Sequence, residues 1–460
     1  MSALSENNIA LKIVKRLLKE GLHITPEALD LLIKTDNPEG ALNTLLEKLK
    51  EMKELPIVVD VPHLSNIIHP PEKEFPEREE ITIEEFSILR QPSWDSFMGT
   101  NMNARVNYLK SRYEKLKSIF TQQYEHVSIA EAKKFKKGEV VSLVAMITGV
   151  NREDEKVTMM LEDESGAVLA IADLKNMTIF PVPDIVIYVK GEVESPDTII
   201  VKEVNLPPED FEKRQSLKPP STVFAVLISD IHVGNPNFAE EQFKKLLRWI
   251  SHNHKSLNIK YIIIAGDVGE FSPSSPYTPY ERFSQLISQI PSEIRIIIIP
   301  GDSDSLIPTL PQIPHKFIQK IEKLRNNMHV FGNPTLISLL GVKIFVYHPI
   351  GLEKVALSLP GVTRPSQIVE YLIKTRCMAP YLEKVPVLPH KDDIFVLEDV
   401  PDVIHLGHLH SADSGRYKNL VYVCSGSWIK NDPGKLPFSP STCVAHLLNL
   451  KTLEVHEITF

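Results

Sequence analysis

An apolar run that ends in two candidate metal ligands decides the fold of the second half of the chain: residues 223–234 read VFAVLISDIHVG. A short, continuous apolar run is typical of a strand that is buried on both faces of a sheet. Asp230 and His232 follow the run, two residues apart, so both side chains can face one metal ion where the strand ends. The segment therefore predicts a layered α/β domain with a site at the strand ends.

Four further apolar runs of the second half are followed by acidic or histidine residues in the same way. The runs are Tyr261–Ala265, Arg295–Ile299, Lys343–Tyr347 and Val403–Leu406. The polar residues that follow them are Asp267, then Asp302, Ser303 and Asp304, then His348, and finally His408 and His410. An ordered series of this kind seldom arises by chance, and it provides enough ligands for two divalent ions. Two neighbouring ions are the arrangement that phosphodiester cleavage most often uses.

The types of ligand and the positions of the cysteines indicate which metal ions the site would bind and which kinds of cysteine site are absent from the prediction. Carboxylates and neutral imidazoles without thiolates favour manganese, iron, zinc or magnesium. The three cysteines, Cys377, Cys424 and Cys443, form no CxxC pair, so the sequence predicts neither a disulfide framework nor a thiolate zinc site.

The first residues do not resemble a signal peptide, and no apolar run approaches the roughly 18 residues of a membrane span. We expect a cytoplasmic protein with no membrane partner.

The acidic balance of the chain bears on the class of partner. The formal net charge is −8 and the pI is near 6.1, whereas a free-standing nucleic-acid binder is usually basic. A mild acidic balance does not exclude DNA binding, because local patches or a partner subunit can supply the positive surface.

The first 125 residues predict a helical module and then a linker. Leucine and isoleucine recur at helical spacing, so residues 1–55 are expected to form a small helical module. Prolines among charged residues predict an extended linker over residues 56–99. Residues 104–120 then predict an amphipathic helix, which completes the segment 56–125. Its basic residues, among them Arg112 and Lys115, could meet a phosphate backbone, but we expect a solvated face.

Residues 126–207 predict a small β-barrel. About five β-runs with turn signals between them suit a Greek-key barrel of the OB type. Such barrels often bind single strands through aromatic side chains on which bases stack. The strands here carry only Tyr188 as an aromatic residue, and the turns are acidic. We therefore expect a structural or protein-contact role for the barrel, with the layered domain following at residues 221–460.

The series D-x-H, G-D, G-D-S-D, H and G-H-L-H resembles the calcineurin-like metallophosphoesterases, whose motifs are D-x-H, G-D, G-N-H-D/E, H and G-H-x-H. A closer resemblance covers nearly the whole chain. Both the order of the modules and several local strings are similar to those of the small subunits of archaeal family-D DNA polymerases. These strings are residues 112–116, 227–234, 368–372, 378–380 and 426–428.

This resemblance implies a multidomain α+β chain, in which a calcineurin-like phosphoesterase domain follows an OB barrel and a helical N-terminal module. It also implies a large catalytic polymerase subunit as partner and a 3′→5′ exonuclease activity on the 3′ ends of single-stranded DNA. The family is related to small subunits of eukaryotic replicative polymerases whose phosphoesterase domain has lost its catalytic residues.

The resemblance further implies the role of each ligand. One ion would be held by Asp230, His232 and His410, the other by Asp302, His348 and His408, and Asp267 would bridge both. We expect the two divalent ions to be manganese, with magnesium, iron or zinc as alternatives.

Three residues depart from the family's pattern. Ser303 stands where the family has a histidine that donates to the phosphate or to the leaving oxygen. Serine is no general acid at neutral pH, and loss of a positioned acid costs about 10²–10⁴-fold in rate. Asp302 replaces an asparagine and adds negative charge, and Glu270 stands near where a further aspartate is usual. Ser303 and Asp304 are thus the candidate catalytic residues of a weakened centre.

Three functions remain open at this point. The chain could be an active exonuclease subunit, a structural and processivity subunit that retains a metal site, or a free phosphatase of small phosphates. The N-terminal modules argue against the third function, because a small-molecule phosphatase needs none of them. The substitutions favour impaired catalysis, whereas the family resemblance favours an exonuclease.

Overall fold

A computed structural model describes most of the chain. The described residues are 3–35, 37–50, 56, 58–60, 63–64, 85–209, 218–272, 274–275, 277–305, 308–314, 318–319, 322 and 325–460, without the side chains of 3–8 and 176. They form two compact units, which divide after Thr82. Among the described helices, none is long and apolar enough to span a membrane.

The first unit is a small helical module. Its elements are α1 (Ala3–Lys19), β1 (His23–Ile24), α2 (Pro26–Ile33), α3 (Pro38–Lys50) and β2 (Val58–Val59), and the two short strands pair in parallel. Thr25 caps α2, because its hydroxyl accepts a hydrogen bond from the Ala28 amide at 3.3 Å. The helices lie where the leucine periodicity places them, and their apolar faces share one core that includes Leu17, Leu32 and Leu45.

The second unit contains two six-stranded sheets. Across the first sheet the order is β12 (Met328–Val330), β11 (Arg295–Ile299), β10 (Ile259–Ala265), β9 (Phe224–Ile228), β18 (Val444–Asn449) and β19 (Val455–Thr459). Across the second sheet it is β16 (Asp413–Tyr417), β17 (Leu420–Cys424), β15 (Val403–Leu406), β14 (Val342–Tyr347), β13 (Thr335–Leu339) and β3 (Phe86–Arg90). Strands β9 to β12 run parallel.

The two sheets pack face to face, and helices cover their outer faces. In β10, Tyr261 and Ile263 lie in the core between the sheets, whereas Ile262 and Ile264 pack against α6 (Glu240–Asn253) and α7 (Thr278–Ile287). Helices α8 (Leu352–Leu357) and α9 (Pro365–Thr375) cover the second sheet. Burial on both faces explains why the strands read as continuous apolar runs. The sequence predicted one sheet covered on both faces, whereas the structure has two sheets that cover one another on their inner faces.

A closed five-stranded barrel precedes this sandwich. Its strands are β4 (Val140–Glu153), β5 (Lys156–Asp163), β6 (Gly166–Asp173), β7 (Val186–Ser195) and β8 (Thr198–Asn205), in the order β4-β5-β6-β8-β7. Strands β4 and β7 close the barrel, and β6 runs parallel to β8. Tyr188 is buried, stacks on Tyr124 and donates to the Ser142 hydroxyl at 2.9 Å. It is therefore not an exposed platform for a base.

Helix α4 (Met102–Thr121) joins the barrel to the sandwich, and the short α5 (Ile129–Ala132) follows it. Arg112 is fully buried; its Nε donates to Asp393 at 2.6 Å and its Nη1 to the Asp184 carbonyl at 3.2 Å. Lys115 pairs with Asp392 and Glu398. The expectation of a solvated basic face is therefore wrong for Arg112 and Lys115, since acidic residues that are distant in sequence meet both.

The expectation of an extended linker fails for part of residues 56–99. Strand β3 pairs antiparallel with β13 at the edge of the second sheet. The ring of Phe86 stacks on Phe331 at 5.7 Å and packs against the core between the sheets. Prolines and charges around the strand concealed this short edge pairing. Residues 65–84 lie outside the described part.

Candidate metal centre

All seven predicted ligands lie on loops at the carboxyl ends of strands, where the two sheets meet. They fall into two groups of side chains whose ligand atoms lie within 4.8 Å of one another: Asp230, His232, Asp267 and His410; and Asp302, His348 and His408. Asp302 is half-buried and the other six residues are buried. Each group could hold a metal ion.

Asp267 lies between the two groups. Its Oδ2 is 3.5 Å from Nε2 of His232, in the first group, and its Oδ1 is 3.6 Å from Nε2 of His348, in the second. The two oxygens of one carboxylate thus face different groups. This is the geometry that a bridging ligand requires.

The backbone at the centre is strained. Five of the seven ligands have positive φ angles: 51° at Asp230, 56° at His232, 53° at Asp267, 71° at His408 and 54° at His410. Non-glycine residues seldom adopt this left-handed conformation, which costs on the order of 1–3 kcal/mol each. Such conformations cluster where a site needs side chains aimed in one direction, so the strain itself points to a functional centre.

Two glycines allow the loops to come this close together. A Cβ at Gly266 would lie 2.2 Å from Nδ1 of His348, and one at Gly301 would lie 2.1 Å from Oδ1 of Asp267. Neither distance leaves room for a side chain. The Gly-Asp pairs of the sequence are therefore steric requirements of the site.

Each of the four imidazoles has one nitrogen fixed from outside its group, which leaves the other to face inward. The outer contacts are His232 Nδ1 to Glu270 at 2.9 Å, His410 Nδ1 to Asp432 at 2.8 Å, His408 Nε2 to Glu353 at 2.9 Å, and His348 Nδ1 to the Ala265 carbonyl at 2.7 Å. An outer acceptor of this kind fixes the ring orientation and the tautomer, and it makes the inner nitrogen a better ligand.

The electrostatics of the centre favour positive charge. Burial opposes protonation of His348, yet Asp267 and Asp302 raise its pKa to about 10. Burial likewise opposes protonation of His410, yet Asp230 and Asp432 raise its pKa to about 9. The carboxylates thus hold protons on the imidazoles in the place where a cation would be bound. Because metal ligands must lose their protons, an ion would displace these protons, and this donor set fits a divalent cation.

Ser303 lies at the shared carboxylate. Its amide donates to Asp267 Oδ1 at 2.8 Å and its hydroxyl to Asp267 Oδ2 at 3.1 Å. The hydroxyl is also 3.3 Å from Nδ1 of His232. Ser303 thus orients Asp267 and contacts His232, two of the predicted ligands. His315, another residue that could supply an acid, lies outside the described residues.

Asp304 lies beneath the centre rather than in its opening. The buried carboxylate accepts from three backbone amides and from the Tyr280 hydroxyl, at 3.0 to 3.1 Å. Burial and the charge of Asp267 raise the pKa of Asp304 to about 7. This geometry favours a structural role for Asp304 over the catalytic role that the sequence suggested.

Four residues of the centre escaped the sequence reasoning or received no role in it. Three are the outer carboxylates Glu270, Glu353 and Asp432. The fourth is Lys435, whose Nζ is 2.9 Å from His408 Nδ1 and 3.8 Å from Asp302 Oδ2. No motif spacing marks Glu353, Asp432 or Lys435, because they come from segments outside the ligand series, Glu353 from helix α8.

The chain is similar in sequence to subunits of DNA polymerases. Residues 225–414 match the family model that describes the B subunits of DNA polymerases alpha and epsilon. The DNA polymerase II small subunit of Archaeoglobus fulgidus is 28% identical over 92% of this chain and 92% of its own length. That of Methanothermobacter thermautotrophicus is 27% identical over 91% and 93%.

Among solved structures, an archaeal phosphodiesterase aligns over 52% of this chain and all of its own length, at 15% identity and a TM-score of 0.30, which is too low to support an inference. The small subunit of Pyrococcus furiosus is 31% identical over 71% of this chain and 58% of its own length. Over about nine tenths of its length, the chain is similar to archaeal DNA polymerase II small subunits.

Proposed function

We propose that this chain is the small subunit of a two-subunit archaeal DNA polymerase and that its centre is a two-metal phosphodiesterase. It acts as a 3′→5′ exonuclease on single-stranded DNA, at a rate lowered by the serine at position 303. The observation that carries the proposal is the position of Asp267, whose two oxygens face two separate groups of buried ligands.

The ligands divide between two ions as the groups divide in space. Asp230, His232 and His410 would hold one ion; Asp302, His348 and His408 would hold the other; and Asp267 would be shared. When bound, divalent ions supply the activation of water and the positive charge that phosphodiester cleavage needs. Manganese suits the mixed imidazole and carboxylate set, and magnesium, iron or zinc are the alternatives.

The substrate would enter on the side of Asp302 and Glu270. Their side chains are 30% and 37% exposed, while most other members of the centre are buried. This opening therefore presents two carboxylates to a negatively charged phosphodiester, and Lys435 beside them offers a positive charge. An acidic opening and a net charge of −8 support a large polymerase subunit as the main DNA-binding partner.

Proton donation is the weak step of this centre. Serine at position 303 cannot act as a general acid near pH 7, and its hydroxyl is already bound to Asp267. The leaving oxygen would therefore take its proton from solvent. We expect slow cleavage, because the ligands and their orientation are present while the positioned acid is not.

The test is cleavage of a 5′-labelled single-stranded oligonucleotide by the purified full chain with Mn²⁺. We expect slow shortening from the 3′ end, and none after Asp267→Ala. Asp95→Ala, which changes an exposed aspartate of the same unit, is the matched control. Equal cleavage by wild type and Asp267→Ala would show that the activity does not come from this centre, and the proposal would be wrong.

A further inference from the structure

We infer that Lys435 makes the two ligand groups unequal: its ammonium competes with a divalent cation for the group of Asp302, His348 and His408. The first group, around Asp230, then binds its ion tightly, and the second binds its ion only weakly. The inference rests on the ligand assignment of the proposed function and adds an order of filling to it.

The contact of Lys435 is with a ligating atom. Its Nζ lies 2.9 Å from Nδ1 of His408, and the other ring nitrogen of His408 is fixed by Glu353 at 2.9 Å. An ammonium has three N–H groups and no lone pair, so in its contact with Lys435 the His408 Nδ1 accepts; Oδ1 of Asp302 lies 2.9 Å from the same nitrogen. The lone pair that Lys435 uses is therefore the one that a metal ion would bind.

The position of the charge strengthens the competition. The Lys435 ammonium is also 3.8 Å from Oδ2 of Asp302, and the lysine side chain is only 22% exposed. A charge that solvent screens poorly repels a nearby divalent ion more strongly than an exposed one does. Lys435 therefore opposes the ion both by direct contact with a ligand and through its field.

The first group has the opposite balance of charge. It includes two carboxylates, those of Asp230 and Asp267, and the ion pairs that the described residues make with them all involve histidines. In the second group Asp302 is the only carboxylate apart from the shared one, and Lys435 offsets it. Lys435 thus offsets the negative charge of Asp302, the residue that stands where the family has asparagine. The same lysine weakens binding of the second ion.

The test is calorimetric titration of the metal-free full chain with Mn²⁺. We expect one tight binding step and a second step weaker by about tenfold or more, as suits a unit charge at this distance. Lys435→Met should strengthen the second step by about tenfold and change the first step much less, because Lys435 contacts a ligand of the second group only. Lys435→Arg keeps the charge and should retain the wild-type pattern.

Lys430→Met is the matched control, since Lys430 is exposed in the same loop. Electron paramagnetic resonance gives a readout apart from activity. Two Mn²⁺ ions that share Asp267 are magnetically coupled, so Lys435→Met should show the coupled spectrum at a lower Mn²⁺ concentration than wild type.

Three results would decide against the inference or against its basis. Two equally tight steps in wild type, unchanged by Lys435→Met, would refute the competition while leaving the two-metal centre intact. A weaker second step in Lys435→Met would show that the lysine supports the site and would also refute it. Absence of Mn²⁺ binding in every variant would refute the proposed function itself.

Discussion

Ser303 is bound twice to Asp267, through its amide at 2.8 Å and through its hydroxyl at 3.1 Å. The serine at the position where the sequence resemblance implies a histidine therefore orients the carboxylate that lies between the two ligand groups. Compared with the histidine that the resemblance implies, Ser303 lacks a general acid and provides a ligand-orienting hydroxyl. This relationship determines what a histidine at position 303 can restore.

We expect Ser303→His to raise the rate of single-strand cleavage, because an imidazole with a pKa near neutrality can donate to the leaving oxygen. The gain should stay below the roughly 10²–10⁴-fold of a fully positioned acid, since the hydroxyl contact to Asp267 is lost. Single-turnover rates of wild type, Ser303→His and Ser303→Ala give the comparison. A fast wild type that Ser303→His leaves unchanged would mean that another group supplies the proton.

Asp267→Ala should abolish binding of at least one divalent ion, because both groups use this carboxylate. Elemental analysis after dialysis against Mn²⁺ measures the loss, with Asp95→Ala as the control. Full occupancy in Asp267→Ala would contradict the bridging role.

The outer carboxylates should affect the two ions selectively. Asp432→Asn removes the charge that contacts His410 in the first group. Glu353→Gln does the same to His408 in the second group. Each change should lower the Mn²⁺ affinity of its own group by roughly 10–100-fold. Calorimetry resolves the two steps. Glu457→Gln is the control, because Glu457 faces His446, a histidine outside the centre, at 3.7 Å; an equal effect of all three changes would argue against specific positioning.

Acid should destabilise the second unit through two buried histidines. Burial, and for His405 also the charge of His446, lowers the pKa of His405 to about 3 and that of His446 to about 4. The unfolded chain binds these protons near pH 6.5, so stability falls as the pH drops below that value. Each imidazole should cost about 2 kcal/mol between pH 7 and pH 5.

Urea unfolding at several pH values measures this effect. All three tryptophans, Trp94, Trp249 and Trp428, lie in the second unit, so their fluorescence reports on that unit alone. His446→Leu should flatten the pH dependence, whereas His456→Leu, at an exposed position, should not. A pH dependence that is the same in both variants would count against the buried imidazole.

Arg112→Met should destabilise the second unit by about 3–5 kcal/mol, because it leaves Asp393 buried without its partner. Arg105→Met, at an exposed position of the same helix, should have little effect. Urea unfolding followed by tryptophan fluorescence provides the comparison, and equal midpoints would show that the pair contributes nothing.

The sequence was informative where one local pattern carries one physical meaning. Val223–Ile228 predicts a strand because both of its faces are buried, and Asp267 is recognisable because a glycine and an apolar run precede it. Strand β3 was not predicted, because an edge strand needs few apolar residues and its partner is about 250 residues away. Glu353, Asp432 and Lys435 reach the centre only through the tertiary fold, so no spacing in the sequence marks them.

The left-handed backbone at the ligands has a consequence for engineering. Glycine adopts positive φ without strain, so a glycine at position 408, where φ is 71°, would relieve a cost that histidine imposes on folding. Replacement of His408 by glycine would remove this strain, but it would also remove a buried imidazole that contacts Asp302 and Glu353, which opposes the gain. The left-handed backbone at these five ligands is thus a folding cost that the centre carries for the direction of its side chains.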